Sequence, residues 1–357
     1  MEKSSRIPSL DGLRTISIVL VVANHVQMSY SQRIEDTYNL GNLGVRIFFV
    51  ISGFLITGLL LKEINETGKI ALLKFYFRRT LRIFVPFYFF LLIIFIATVL
   101  GWIPPISTEN FLDTATYTSN YLGNEAWDIT HSWSLAVEEQ FYLIFPGILA
   151  FLGITRTRKV LLGVIIIAPV ARLLYFKHYG ETDFFWFTTA FHHNMDSLAI
   201  GCLLSFFQQK LHSNSAYQYF LKTKFALLFP IPIFILNNQE NHPKFGVSIA
   251  ITILIILIAM FIDWSIANYQ TIFGKILNSR PIILVGMMSY SIYLWQQPFF
   301  NPFNKAIFTI FPFNLAAMIV ASTLSYYLIE KKSLQFRQYL EIKLFNREKS
   351  LIIPESA

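Results

Sequence analysis

Long apolar runs separated by short polar segments organise this chain from end to end. Ten can be delimited, at about 11–30, 43–61, 83–101, 132–152, 160–176, 187–207, 225–237, 246–266, 282–300 and 306–329. A helix rising about 1.5 Å per residue needs about 20 apolar residues to cross a hydrocarbon core of about 30 Å. The pattern therefore predicts an all-α integral membrane protein of about ten transmembrane helices. The seventh run is short and holds Pro230 and Pro232, so it is the least regular. Residues 1–330 read as one membrane domain, with no visible internal repeat or low-complexity segment. Residues 331–357 read as a basic cytoplasmic or interfacial tail, in which Leu334, Phe336, Tyr339 and Leu340 alternate with cations as in a segment lying against lipid headgroups.

Composition agrees with this pattern. Of 357 residues, 54% are hydrophobic, 17% aromatic and only 14% charged, with a mean hydropathy of +0.51, which no ordinary soluble domain shows. A net charge of +8 would suit nucleic acid, but its distribution speaks for a membrane instead. With the N-terminus in the cytoplasm, most of the 29 Lys and Arg residues fall on the inner side, and both termini are expected there. The longest outward segment, 102–130, holds Glu109, Asp113, Glu125 and Asp128 and no Lys or Arg. The first apolar run is expected to stay as an anchor, because no small-residue cleavage site follows it. The single cysteine, Cys202, excludes an intramolecular disulfide.

Three groups of polar residues interrupt the apolar pattern. In LDGLRTISIVLVVANHVQMSY, residues 10–30, Arg14 and His25 lie eleven residues apart. At about 100° per residue that is three turns plus roughly 20°, and Asp11 falls within roughly 40° of the same line. The rise places His25 about 16 Å above Arg14, in the outer half of the membrane. Asp11 and Arg14 also suit an ordinary helix start, with the acid on the positive end of the dipole and the arginine reaching for headgroups. The second group is HSWSLAVEEQFYLIFP, residues 131–146, which aligns His131, Ser134, Glu138 and Tyr142 on one face and turns Glu139 about 100° away. Counting from the outer boundary at Ser132, Glu138 lies about 9 Å deep, close to the 8 Å of His25 below Tyr30. A carboxylate meeting an imidazole there would fix one tautomer and support a general base, and an ion pair that only fixes helix packing is the competing reading. The third is RRTLRIFVPFY, residues 78–88. Arg78, Arg79 and Arg82 share a helix face, either as topology determinants or as bidentate donors to phosphate.

The ordered segments SLDGLRTISIVLVVANH, GVRIFFVISGFLIT, RRTLRIFVP, HSWSLAVEEQFYLIFP, MDSLAIGCLL and SYSIYLWQQP resemble the motifs of the membrane-bound acyltransferase-3 family, over about residues 7–330. The resemblance implies an integral-membrane O-acyltransferase. Such an enzyme moves an acyl group, commonly acetyl, from acyl-coenzyme A to a hydroxyl of a carbohydrate or other acceptor, without a metal. It maps catalytic roles to His25 and Glu138, with His25 as base or, less in keeping with the residues, as the acyl carrier. Arg14, Arg78, Arg79 and Arg82 would hold the donor's phosphates, and Asp11, Ser52, Glu139, Tyr142 and Asp196 would line or support the cavity. The expected partners are acyl-coenzyme A, a hydroxyl acceptor and membrane lipids, and the expected location is the bacterial cytoplasmic membrane. Two positions depart from the family pattern: Asn194 stands where many relatives have Arg, and Gln296 follows Trp295 where many have His. His192 and Asp196 are four apart but lack a third metal ligand. A transporter or flippase of lipid-linked sugars is the alternative, and would be expected to show paired repeats or broken helices at matching positions.

Overall fold

The computed structural model describes residues 6–30, 39–122, 126–179, 188–238 and 245–345. Lys3, Glu125, the start of the expected sixth run and the tail beyond residue 345 lie outside the described residues. Those that are described form helices α1 (Leu10–Tyr30), α2 (Leu40–Thr67), α3 (Leu72–Val99), and the short α4 (Thr108–Ala115), α5 (Ser119–Leu122) and α6 (Trp127–Thr130). Then follow α7 (Ser132–Tyr179), α8 (Phe191–Ser213), α9 (Ser215–Lys222), α10 (Pro230–Asn237), α11 (Ile251–Ala267) and α12 (Ile272–Leu277). The last are α13 (Arg280–Met287), α14 (Ser289–Phe299), α15 (Phe313–Ser325) and α16 (Lys331–Phe345). No strand occurs among the described residues.

Five stretches are long and apolar enough to cross a membrane: Leu40–Thr67, Leu72–Val99, Trp127–Tyr179, Ser248–Ala267 and Phe313–Leu344. A sixth is reached if Ser215–Lys222 and Phe225–Asn237, bent by 65° to one another, form one broken span. This is a multi-pass membrane protein. Several expected boundaries take physical form here. The 48 residues of α7 are interrupted at Gly153, whose φ of 71° and ψ of 172° no helix contains, so two helices meet where the fourth and fifth runs were divided. At 21 and 23 residues, α1 and α8 are long enough to cross but carry more polar side chains. The expected ninth run is divided at Met288 into α13 and α14, and the tenth begins at Phe313 rather than 306. The segment between them does not continue the helix because Asn301 and Asn304 accept from the amides of Phe303 and Ala306, at 2.8 and 2.9 Å, in side-chain turns that compete with helical bonding.

The segment 102–130 is not a solvent loop. Ser119, Asn120, Asp128, Ile129 and His131 are all buried, so α5 and α6 sit down into the bundle ahead of α7. At the other end of the chain, a π-helical stretch, Tyr326–Glu330, joins α15 to α16, and α16 lies along α3, where Ser333 donates to the Leu81 carbonyl.

Helices α2 and α8 cross at backbone contact. A Cβ built on Gly53 would sit 2.1 Å from the Leu198 carbonyl oxygen, and one on Gly201 would sit 2.1 Å from that of Val50. Small residues at such crossings let helices pack where lipid offers no hydrophobic drive. Gly201→Val is therefore expected to destabilise the bundle by at least the ~1–3 kcal/mol typical of overpacking, read as a lowered midpoint of thermal unfolding in detergent. An unchanged midpoint would mean the crossing is looser than this.

Candidate active site

Helix α1 runs through the middle of the polar groups, flanked by α2, α13 and α14. Its beginning carries Asp11 and Arg14, with Arg14 Nη1 4.0 Å from Asp11 Oδ1 and Arg14 Nε without a hydrogen-bond partner. Around that end the structure gathers a dense polar cluster. Ser52 on α2 donates to Glu138 Oε1 on α7, and Tyr142, one turn on, donates to the same oxygen at 3.2 Å. The Arg79 guanidinium on α3 stacks over the Tyr142 ring, 3.4 Å from its centroid, with Nε 3.8 Å from Glu139 Oε1. Arg82 lies within electrostatic reach of Arg14, Arg79 and Glu330, and Ser291 donates to Glu330 at 2.7 Å.

The four arginines are thus sorted into different situations. Arg78 is held by Glu341 of α16, which also takes Lys74 at 3.5 Å, so it ties the tail to α3. Arg79 is engaged by Tyr142 and Glu139. Arg14 is only loosely paired, and Arg82 makes no hydrogen bond or ion pair among the described residues. Those last two guanidinia are the least engaged of the four.

His25 occupies the opposite end of α1. Its Nδ1 is 3.1 Å from the Val21 carbonyl oxygen, which can only accept, so Nδ1 carries the proton and Nε2 keeps the lone pair of the neutral ring. Trp127 meets the imidazole edge-on at 5.9 Å, the Gln296 amide faces it, and His131 lies within its electrostatic field.

The expected contact between His25 and Glu138 is not made: Glu138 bonds to Ser52 and Tyr142, and His131 is the α7-side residue beside His25. The cause is the depth of α7. Because the polar residues of α5 and α6 and His131 are buried, α7 starts already inside the bundle. Glu138 lies seven residues past His131, about 10 Å further along. The register of α2 agrees. A Cβ on Gly44 would touch the Ser17 carbonyl and the Val21 side chain, and Ser52 lies eight residues, about 12 Å, closer to the Asp11 end.

Asp196 joins neither cluster. Its carboxylate meets Arg172 of α7 at 2.8 Å, both side chains 1% exposed, and Arg172 also donates to the His193 carbonyl at 2.6 Å and to Thr252 Oγ1 at 3.0 Å. The cation beside Asp196 thus comes from another helix, and the Asn194 amide donates to the Thr188 and Ala190 carbonyls at the start of α8. Arg172 and Glu330 belong to none of the polar groups that the sequence pattern singles out, although each is a charge inside or at the end of an apolar run and so signals a buried partner. Among the described residues no three His, Cys, Asp or Glu side chains come together to hold a metal ion.

Removing one member of a buried ion pair leaves an uncompensated charge. Arg172→Met should destabilise the protein by about 3–5 kcal/mol, whereas Arg172→Met combined with Asp196→Leu should restore much of the loss. Thermal unfolding in detergent measures both, and equal losses in the single and double variants would show that the pair does not act as a unit.

Residues 7–330 match the family described as an acyltransferase domain, the acyltransferase-3 family. O-acetyltransferase OatA of Staphylococcus aureus (strain NCTC 8325 / PS 47) is 31% identical over 321 residues, covering 82% of this chain and 50% of the relative. The protein named "Putative O-acetyltransferase SACOL0978" of Staphylococcus aureus (strain COL) is 31% identical over 324 residues, covering 83% of this chain and 51% of the relative. The chain thus spans about half the length of the curated relatives it matches. No solved structure matches it. A match across nearly the whole polar framework, from Arg14 to Glu330, makes this chain a member of the membrane-bound acyltransferase-3 family.

Proposed function

We propose that the chain transfers an acyl group, acetyl being the simplest, from acyl-coenzyme A to a hydroxyl of a carbohydrate or similar acceptor. The observation that carries this reading is the division of labour along one face of α1. The loosely held guanidinia of Arg14 and Arg82 lie at one end, and an imidazole with its Nε2 lone pair presented lies at the other, about 16 Å away. A chain-like donor with phosphates at one end and a thioester at the other fits that layout. Arg14 and Arg82 would hold the phosphates through charge-assisted hydrogen bonds. Glu138 and Tyr142 would keep Arg79 in place as the wall between the two ends, with Glu139 as its counter-ion.

In the transfer step His25 Nε2 takes the proton from the acceptor hydroxyl while the oxygen attacks the thioester carbonyl. The C–S bond then breaks, and the departing thiolate takes the proton back from the imidazolium. The Val21 carbonyl holds the ring in the tautomer this requires. The topology that suits the reading has about ten crossings of the cell membrane with both termini in the cytoplasm. In it the Arg14 end faces the donor supply and the His25 end lies in the outer half.

His25→Ala should lower acyl transfer by about 10² to 10⁴-fold, the usual weight of general base catalysis, and leave acetyl-coenzyme A binding intact. Retention of full turnover would dismiss His25 as the base. Arg82→Ala and Arg14→Ala should each weaken acetyl-coenzyme A binding by about 1.5–3 kcal/mol, the worth of a hydrogen bond to a charged group. Calorimetry on the protein in lipid nanodiscs reads the change, with Lys222→Ala as a distant cation for comparison. Equal affinity in all three variants would remove the donor from this site.

A further inference from the structure

Buried polar side chains in this bundle generally find partners. The carboxylate of Asp263, fully buried, accepts from Gln208, His212 and Tyr217 at 2.7, 2.8 and 2.9 Å. Single unpartnered atoms occur elsewhere, at Thr57, Tyr117 and Ser322 for example, but around His25 several lie together. His131 is 3% exposed, and its ring nitrogens make no well-formed hydrogen bond, although the Leu294 backbone and the Gln297 side chain lie within reach. Gln296 is fully buried, and its amide makes no well-formed hydrogen bond, although the His25 ring lies within its reach. Gln297 donates to the Trp127 carbonyl at 2.7 Å, but its own carbonyl oxygen is unpartnered, as is the indole nitrogen of Trp295. These groups are neighbours. His131 and Trp295 both meet Phe90 edge-on, the Gln296 amide faces His25, and that of Gln297 faces His131.

Unpaired polar atoms in a low-dielectric interior are costly, and a group of them in one place marks where a polar guest belongs. The chemistry of the set says which guest. An amide presents a donor and an acceptor side by side, and a neutral imidazole presents one of each. A phosphate or carboxylate offers acceptors alone and would meet the carbonyl oxygens of Gln296 and Gln297 with repulsion. A hydroxyl both donates and accepts, so a group with several hydroxyls can satisfy such a mixed set. A charged side chain on this side of the site, Asp128, is already engaged by two bonds from Asn301, at 3.1 and 3.0 Å.

We propose that His131, Gln296 and Gln297 form the acceptor subsite beside His25 and select a neutral, hydroxyl-rich group over an anionic one. The inference rests on the acyl-transfer reading above and adds to it the residues that read the acceptor. Gln296 then has a definite role: at the position where many relatives place His, an uncharged amide positions the hydroxyl against His25 Nε2. His131 contributes hydrogen bonds to the same group and does not take the transferred proton.

The test uses the full chain in lipid nanodiscs with labelled acetyl-coenzyme A. The acceptors are short oligomers of glucose, of N-acetylglucosamine and of glucuronic acid, with products read by mass spectrometry. Neutral oligomers should be acylated in preference to the uronic acid. Gln296→Leu and His131→Leu should each raise the acceptor KM about tenfold or more, with a smaller change in kcat and wild-type affinity for acetyl-coenzyme A by calorimetry. That affinity also reports that each variant is folded, and Gln296→Asn, which keeps the amide, should recover part of the loss. Preference for the uronic acid would overturn the proposal. So would unchanged acceptor KM in both leucine variants, the result expected if the unpartnered atoms hold only water. Failure of the underlying reading looks different, because the unaltered protein would then not bind acetyl-coenzyme A.

Discussion

Inside a membrane bundle a polar side chain has no bulk water to return to, so its position is fixed by whatever polar group meets it. In this protein that requirement sets the arrangement of the helices around α1. Ser52 and Tyr142 converge on Glu138 and bring α2 against α7, while Arg79 on the Tyr142 ring adds α3. Ser291 on Glu330 joins α14 to the last long helix. On the other side Arg172 and Asp196 lock α7 to α8 with both charges out of solvent. Apolar packing fills the space between these contacts, and the glycines of α2 and α8 let it close.

The same requirement separates the two ends of the site. At the Asp11 end, carboxylates and guanidinia balance one another, with Arg14 and Arg82 left least engaged. At the His25 end the imidazole is surrounded by amides, a second imidazole and indoles, only partly matched, and the carboxylate on that side, Asp128, is taken up by Asn301. Between them lies a polar seam in which Tyr293 donates to the His131 carbonyl at 2.9 Å and shares a bond with Ser134. The two ends thus present different chemistry in one bundle, and neither duplicates the other.

Much of this was legible in the sequence. Helical periodicity places Arg14 and His25 on one face at a fixed separation, and the resemblance suggests the roles proposed for them. What misled was depth. Counting from Ser132 treated 102–130 as lying outside the bundle, whereas its buried polar residues draw α5, α6 and His131 inward. That moves Glu138 about two turns away from His25 and puts His131 in its place. The fate of individual cations was equally hidden, because Arg78 and Arg79 differ in partner and not in local pattern: Glu341 stands 263 residues away from the first. Arg172 shows the converse, since an arginine in an apolar run announces a partner without saying which helix carries it.

The central claim is that donor phosphates and transfer chemistry occupy opposite ends of α1. Its most direct test is a structure of the full chain in lipid with a non-hydrolysable acetyl-coenzyme A analogue bound. The phosphates should lie on Arg14 and Arg82, with the arm passing Tyr142 so that the acyl carbon reaches His25. Phosphates bound at the His25 end, or an acyl group that stops short of His25 beside Glu138, would contradict it.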